Sequence, residues 1–136
     1  MGKSENAKRF VVITEDEPQV LESVERLVFE RTGFSTEAFA TLQQFFDFLA
    51  KQNDLPPEER EPIQAFIFDG DLSPEATNGE DGRHAAIAVR SNPLYDTTFI
   101  IGNARGEVVI GADADAMKDP DILQKRVPHW ISANRD

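Results

Sequence analysis

The chain has 136 residues, a length that suits one domain with a single hydrophobic core. It contains no cysteine, which excludes disulfides, thiol nucleophiles and zinc–thiolate sites, and its formal net charge of −11 argues against direct binding to nucleic-acid phosphates. A polar N-terminus and the lack of an apolar run long enough to span a bilayer predict a cytoplasmic protein.

The first half of the chain predicts two strand–helix pairs. A short apolar run gives each strand, and apolar residues recurring at helical spacing give each helix. Pro18 favours a helix start, and Gly33 favours a helix end. The predicted elements are a strand at 9–14, a helix from Pro18 to Thr32, a strand at 34–39 and a helix at 41–51.

The second half continues the alternation of strands and helices. It predicts a strand at 63–69, a helix at 81–91, a strand at 98–102 and a helix at 120–131. Pro128 must kink or end that last helix, because proline has no backbone N–H to donate. Strands that alternate with helices indicate a parallel sheet covered by helices on both faces.

Acidic residues follow two of the predicted strands. The first strand runs into Thr14-Glu15-Asp16-Glu17, and the third runs into Asp69-Gly70-Asp71. Polar turns alone could explain either cluster, but the ends of neighbouring parallel strands meet at one edge of a sheet. Like charges 4 Å apart repel by about 4 kcal/mol at an effective dielectric of about 20, so the clusters predict a bound cation such as Mg²⁺. A carboxylate beside that ion could attack phosphorus, with a lysine nearby.

Five motifs in order resemble response-regulator receiver domains of two-component signalling. They are TEDEP at 14–18, Asp69 with Asp71, NARGE at 103–107, GADADAMK at 111–118 and DPDILQKRV at 119–127. The resemblance covers 8–132 and leaves 1–7 and 133–136 as tails. It implies a flavodoxin-like, doubly wound α/β fold with a five-stranded parallel sheet in the order 2-1-3-4-5.

The resemblance also implies roles for individual residues. Asp69 is expected to be the phosphoacceptor. Mg²⁺ or Mn²⁺ is expected to bind Glu15, Asp16, Asp69 and the backbone carbonyl of Asp71. Phosphate contacts are expected from Lys118, Asn103 and Ala104, while Asp71 and Arg105 are expected to modulate the site.

The implied function is that of a stand-alone receiver rather than a conventional enzyme, with at most self-phosphorylation and self-dephosphorylation. It would take its phosphoryl group from a phosphohistidine of a histidine kinase or phosphotransfer protein. The signal would then leave through contact with a downstream protein.

The chain departs from the family pattern in its readout region. Asn103 stands where the family has threonine or serine, Asp115 where it has a switching aromatic residue, and Asp119 where it has proline. In the family, a fourth helix follows the fourth strand. The short interval between Asn103 and Gly111 predicts that this helix is truncated or missing. We therefore expect phosphorylation to affect 103–118 weakly and the long 72–82 loop more strongly.

Two other functions compete with this one. The first is a pseudo-receiver, which uses the same fold to bind proteins without phosphorylation, and the altered readout positions favour it. The second is a haloacid-dehalogenase-like phosphatase, because Asp69-Gly70-Asp71 resembles its D-x-D motif. That family opens with the motif and continues with Gly-Thr, whereas here it lies mid-chain and continues with Leu-Ser.

Overall fold

A computed structural model describes residues 9–72 and 79–133. Its centre is a parallel five-stranded sheet in the order β2-β1-β3-β4-β5, which confirms the predicted topology. The strands are β1 (Phe10–Thr14), β2 (Ser35–Phe39), β3 (Ile63–Phe68), β4 (Phe99–Gly102) and β5 (Ala114–Asp115).

Helices cover both faces of this sheet. They are α1 (Pro18–Thr32), α2 (Leu42–Asp54), α3 (Glu80–Arg90), α4 (Pro120–Lys125) and α5 (Val127–Ala133), with a 3₁₀ turn at Pro57–Glu59. The Thr41 side chain accepts from the N–H of Gln44 and so caps α2, and Gly33 ends α1 in a left-handed conformation. No helix in the described ranges is long and apolar enough to cross a membrane.

The C-terminal helix is broken into α4 and α5 at Arg126. Pro128 lies two residues beyond the break and cannot donate a hydrogen bond to Gln124. The predicted kink is therefore confirmed.

Residues 103–113 contain no helix, so the predicted loss of the helix between β4 and β5 is also confirmed. This segment instead forms a tight turn, in which Ala104 and Glu107 make an isolated bridge. Gly111 has φ +98°, and a Cβ there would come within 2.9 Å of the Ala86 Cβ on α3. The segment is thus held close against α3.

Two hydrophobic clusters lie on opposite faces of the sheet. One joins α1, α4 and α5 to the sheet around Val28, Ile67 and Ile131. The other joins α2 and α3 to the sheet around Phe45 and Phe66. The apolar strands β1, β3 and β4 are largely buried between these clusters, which fixes where their C-terminal ends emerge.

Candidate functional site

The two acidic clusters meet at the C-terminal edge of the sheet. Thr14 on β1 is in register with Phe68 on β3, so the residues that follow them are neighbours. One carboxylate oxygen each from Glu15, Asp16 and Asp69 lies within 4.8 Å of the other two. The prediction that the clusters converge at one edge is confirmed, and their donor set suits a hard divalent cation.

Asp69 is held at this edge by backbone contacts. Its N–H donates to the carbonyl of Thr14 at 3.1 Å, which extends the β1–β3 ladder by one residue. The N–H of Gly70 donates to its Oδ1 at 2.7 Å. The carboxyl group is therefore fixed in the pocket, with only 5% of the residue exposed.

Lys118 supplies the positive charge at the centre of the site. Its Nζ lies 3.3 Å from Asp69 Oδ2 and 3.4 Å from Glu15 Oε2. Burial alone would lower the pKa of Lys118, but the carboxylates of Asp69 and Glu15 outweigh burial and raise it. The lysine is therefore held in its charged form.

One lysine does not balance the carboxylates around it. Burial and the charge of Asp69 raise the pKa of Glu15 to about 7, although Lys118 opposes the shift. Burial also raises the pKa of Asp69, against the effect of Lys118. Burial is the largest cause of both shifts, so the negative forms of these carboxyl groups are poorly solvated, and a divalent cation would stabilise them.

The site opens to solvent through a cleft of about 270 Å³. Its lining is mostly charged and consists of Asp16, Glu17, Asp69, Asp71, Ala104, Arg105, Glu107 and Lys118. Arg105 Nη2 lies 3.2 Å from Glu17 Oε1, so this ion pair spans the mouth of the cleft. Lys118 Nζ lies 3.8 Å from the same oxygen of Glu17.

Asp71 and Asn103 use their side chains within the protein. Asp71 Oδ1 accepts from the N–H of Gly79 at 3.0 Å. Asn103 is 2% exposed, and its Oδ1 accepts from the backbone N–H of Lys118 at 2.9 Å. The predicted site residues thus converge, but these two side-chain contacts were not predicted.

Sequence reasoning missed three participants. Glu17 pairs with both basic residues of the cleft, and Glu107 lines it. The run of acids at 15–17 was a signal for Glu17. Met117 precedes Lys118 and shares its left-handed backbone, with φ values of +55° and +51°, and no residue type at these positions signals that conformation.

Comparison with solved structures finds many response regulators. The phosphorylated cyanobacterial phytochrome response regulator RcpA is 11% identical, with a TM-score of 0.71 over 93% of this chain and 96% of its own. A CheY-like receiver domain protein from Methanospirillum hungatei JF-1 is 20% identical, with a TM-score of 0.62 over 93% and 95%. The Mn²⁺-bound form of response regulator Rcp1 is 16% identical, with a TM-score of 0.61 over 90% and 94%.

These similarities establish the fold as that of response-regulator receiver domains. Comparison with models of protein families and with curated proteins gives no match. The acidic cluster of Glu15, Asp16 and Asp69 fits binding of a divalent metal in such a fold.

Proposed function

We propose that this chain is a phosphoacceptor receiver that takes a phosphoryl group on Asp69 from a phosphohistidine of a histidine kinase or phosphotransfer protein. The observation that carries the proposal is the position of Lys118 Nζ, 3.3 Å from Asp69 Oδ2, in a pocket with Glu15 and Asp16. A nucleophilic carboxylate, a fixed cation and an acidic metal-binding set are the groups that phosphoryl transfer needs.

In the transfer step, an oxygen of Asp69 attacks phosphorus and the bond from phosphorus to the histidine nitrogen breaks. The product is an acyl phosphate on Asp69, and the released imidazole takes a proton from solvent. A divalent cation held by Glu15, Asp16, Asp69 and the Asp71 carbonyl would neutralise the charge of the transferred group. After the transfer, Lys118 pairs with an oxygen of the phosphoryl group that Asp69 now carries.

The cleft residues set access to this group. Ala104 is buried and lines the cleft. It lies close to Gly70, since a Cβ added to Gly70 would come within 2.9 Å of the Ala104 Cβ. Arg105 and Glu17 pair across the mouth, where an ordered pair would limit the approach of a hydrolytic water. The lifetime of the phosphoryl group is therefore expected to depend on this pair.

The geometry favours this function over a phosphatase of the D-x-D type. Such an enzyme needs the second aspartate as a general acid, with its carboxyl group free to exchange a proton with the leaving group. The Asp71 carboxylate is instead engaged by the N–H of Gly79 at 3.0 Å. Asp71 is therefore better suited to contribute through its backbone carbonyl.

A pseudo-receiver is the second candidate, and the fixed contacts of Asn103 favour it. Intact-mass spectrometry separates the two functions. Incubation with acetyl phosphate and Mg²⁺ should add the mass of one phosphoryl group, and omission of Mg²⁺ should greatly reduce the modified fraction. An unchanged mass with acetyl phosphate, and again with a phosphohistidine donor, would support the pseudo-receiver.

A further inference from the structure

Asn103 and Lys118 are joined by a buried hydrogen bond. The side-chain Oδ1 of Asn103 accepts from the backbone N–H of Lys118 at 2.9 Å, and Asn103 is 2% exposed. The contact involves the backbone of Lys118, whereas its ammonium group lies against Asp69 and Glu15. Asn103 therefore contacts the backbone of the residue whose side chain carries the central positive charge of the site.

The backbone at this point is in an unfavourable conformation. Met117 and Lys118 have φ values of +55° and +51°, and neither is glycine. A left-handed conformation brings Cβ close to the following carbonyl oxygen, so it persists only where neighbouring contacts fix it. Two such contacts come from the segment after β4, namely the Asn103 side chain and the N–H of Gly106, which donates to the Met117 carbonyl at 3.3 Å.

The length of the asparagine side chain matters for this contact. The backbone N–H of Asn103 donates to the Phe68 carbonyl at 2.8 Å, so the start of its side chain is fixed to the end of β3. A threonine or serine hydroxyl lies one covalent bond closer to the backbone than an asparagine Oδ1. From the same backbone position, a hydroxyl would fall short of the Lys118 N–H.

We propose that Asn103 is a positioning residue, whose amide oxygen holds Lys118 in its left-handed conformation and so keeps Nζ between Asp69 and Glu15. The same residue that replaces the family's hydroxyl thus acts on the lysine backbone. The consequence for phosphoryl binding rests on the function proposed above. The hydrogen bond and the conformation of Lys118 can be measured without it.

The first test uses the ligand-free protein and NMR. Wild type should show a scalar coupling through the hydrogen bond between the Lys118 amide nitrogen and the Asn103 side-chain carbonyl carbon. Asn103→Ala should speed hydrogen exchange of the Lys118 amide by about three- to tenfold, the effect of losing one net hydrogen bond. Asn103→Asp keeps an acceptor oxygen and should keep the slow exchange.

Asn92 offers a matched control for this test. It is also buried, and its Oδ1 accepts from a backbone N–H, that of Leu94 at 3.0 Å, at the opposite end of the sheet. Asn92→Ala should leave Lys118 exchange unchanged. Absence of the coupling in wild type, or equal acceleration at Lys118 in both alanine variants, would overturn the proposal.

The second test asks whether disturbance of the left-handed backbone at 117–118 is the reason that Asn103→Ala binds beryllofluoride more weakly. Asn103→Ala should weaken binding of beryllofluoride with Mg²⁺ by about three- to tenfold. Adding Met117→Gly should recover part of that affinity, because glycine adopts positive φ without the Cβ penalty. A failure of rescue would overturn the positioning role.

The two proposals fail in different ways. If wild type binds no beryllofluoride while Lys118 exchange still depends on Asn103, the phosphoacceptor function is wrong and the positioning role stands. If wild type and Asn103→Ala bind beryllofluoride equally well, the positioning role is wrong and the phosphoacceptor function stands.

Discussion

Asp115 Oδ1 accepts a 2.8 Å hydrogen bond from the backbone N–H of Val109. Gly102 lies beside this contact, and a Cβ on it would overlap the Asp115 carboxylate. Asp115 stands where receiver domains have a switching aromatic residue. Here its side chain instead holds the segment between β4 and β5 in place. Burying that carboxylate deeper would cost its solvation, so it is poorly suited to inward movement.

The first prediction concerns this contact. Asp115→Ala removes the acceptor and leaves the N–H of Val109 without its partner, which should lower the unfolding free energy by about 1 to 3 kcal/mol. Asp115→Asn keeps an Oδ1 acceptor and should lower the unfolding free energy clearly less. Urea titrations of both variants provide the measurement, and equal losses in the two would show that the hydrogen bond is not the stabilising element.

The second prediction is about where the protein responds to phosphorylation. Asn103 and Asp115 are already tied to backbone groups, and 103–113 contains no helix to shift. A ligand shifts only those states between which its contacts differ, so we expect weak change at 103–118 and stronger change at 72–82. Residues 73–78 of that loop lie outside the described residues, and their involvement stays a prediction.

Hydrogen exchange with and without beryllofluoride and Mg²⁺ measures this response. The expected result is altered protection at 72–82 with little change at 103–118. Altered protection confined to 103–118 would restore the ordinary receiver switch. Asp69→Asn, which removes the acceptor carboxylate, serves as the control in which both regions should stay unchanged.

The sequence predicted most of the fold because its signals were local and regular. Apolar runs gave β1, β3 and β4, and Pro18 marked the start of α1, since each signal follows from burial or from backbone chemistry. The acidic site followed from strand ends meeting at one edge. The sheet order itself came from the resemblance, because strand adjacency is not encoded in local periodicity.

The remaining features depend on contacts between distant parts of the chain. The orientation of the Asn103 side chain is set by its anchor on Phe68 and by the left-handed backbone at Lys118, neither of which has a sequence signal. The pairing of Glu37 with Glu61 likewise joins an edge strand to a loop. Such contacts become visible only once the chain is folded.

The third prediction tests the metal. Mg²⁺ at about a hundred times its Kd should stabilise the wild type by about 2.7 kcal/mol. Asp16→Asn should abolish that gain and should raise stability without Mg²⁺, because it removes one of three repelling carboxylates. Asp96→Asn, at an exposed position at the other end of the sheet, should behave as wild type. Wild-type melting curves that do not change with Mg²⁺ would contradict the site.

A second pair of carboxyl groups lies away from this site. Glu37 on β2 and Glu61 before β3 lie close enough together for Glu61 to act on the pKa of Glu37. Their Oε1 atoms are buried and have no hydrogen-bond partner within the described part of the chain. Burial, and then Glu61, raise the pKa of Glu37 from 4.5 to about 7, while Lys51 opposes the shift.

The fourth prediction follows from that raised pKa. Between pH 4.5 and about 7 the folded protein binds more protons than the unfolded chain, so stability falls as pH rises through this window. Glu37→Gln, which is neutral and can donate to Glu61, should remove part of the fall, on the order of 1 to 3 kcal/mol after allowance for solvent screening.

Urea titrations in metal-free buffer at several pH values measure this effect. Glu15 has a pKa raised to about 7 and adds a fall in the same direction, so the informative quantity is the difference between wild type and variant. Glu22→Gln, at an exposed residue of α1, should keep the wild-type slope. A Glu37→Gln slope equal to that of wild type would contradict the raised pKa of Glu37.

The central claim is that Asp69, and not Asp71, accepts the phosphoryl group. Asp69 is buried 3.3 Å from the lysine Nζ, whereas the Asp71 carboxylate is bound by the N–H of Gly79. The most direct measurement is intact-mass spectrometry of Asp69→Asn and Asp71→Asn after incubation with acetyl phosphate and Mg²⁺. The account predicts no phosphoryl adduct on Asp69→Asn and an adduct of altered lifetime on Asp71→Asn. An adduct retained by Asp69→Asn, or lost only in Asp71→Asn, would contradict it.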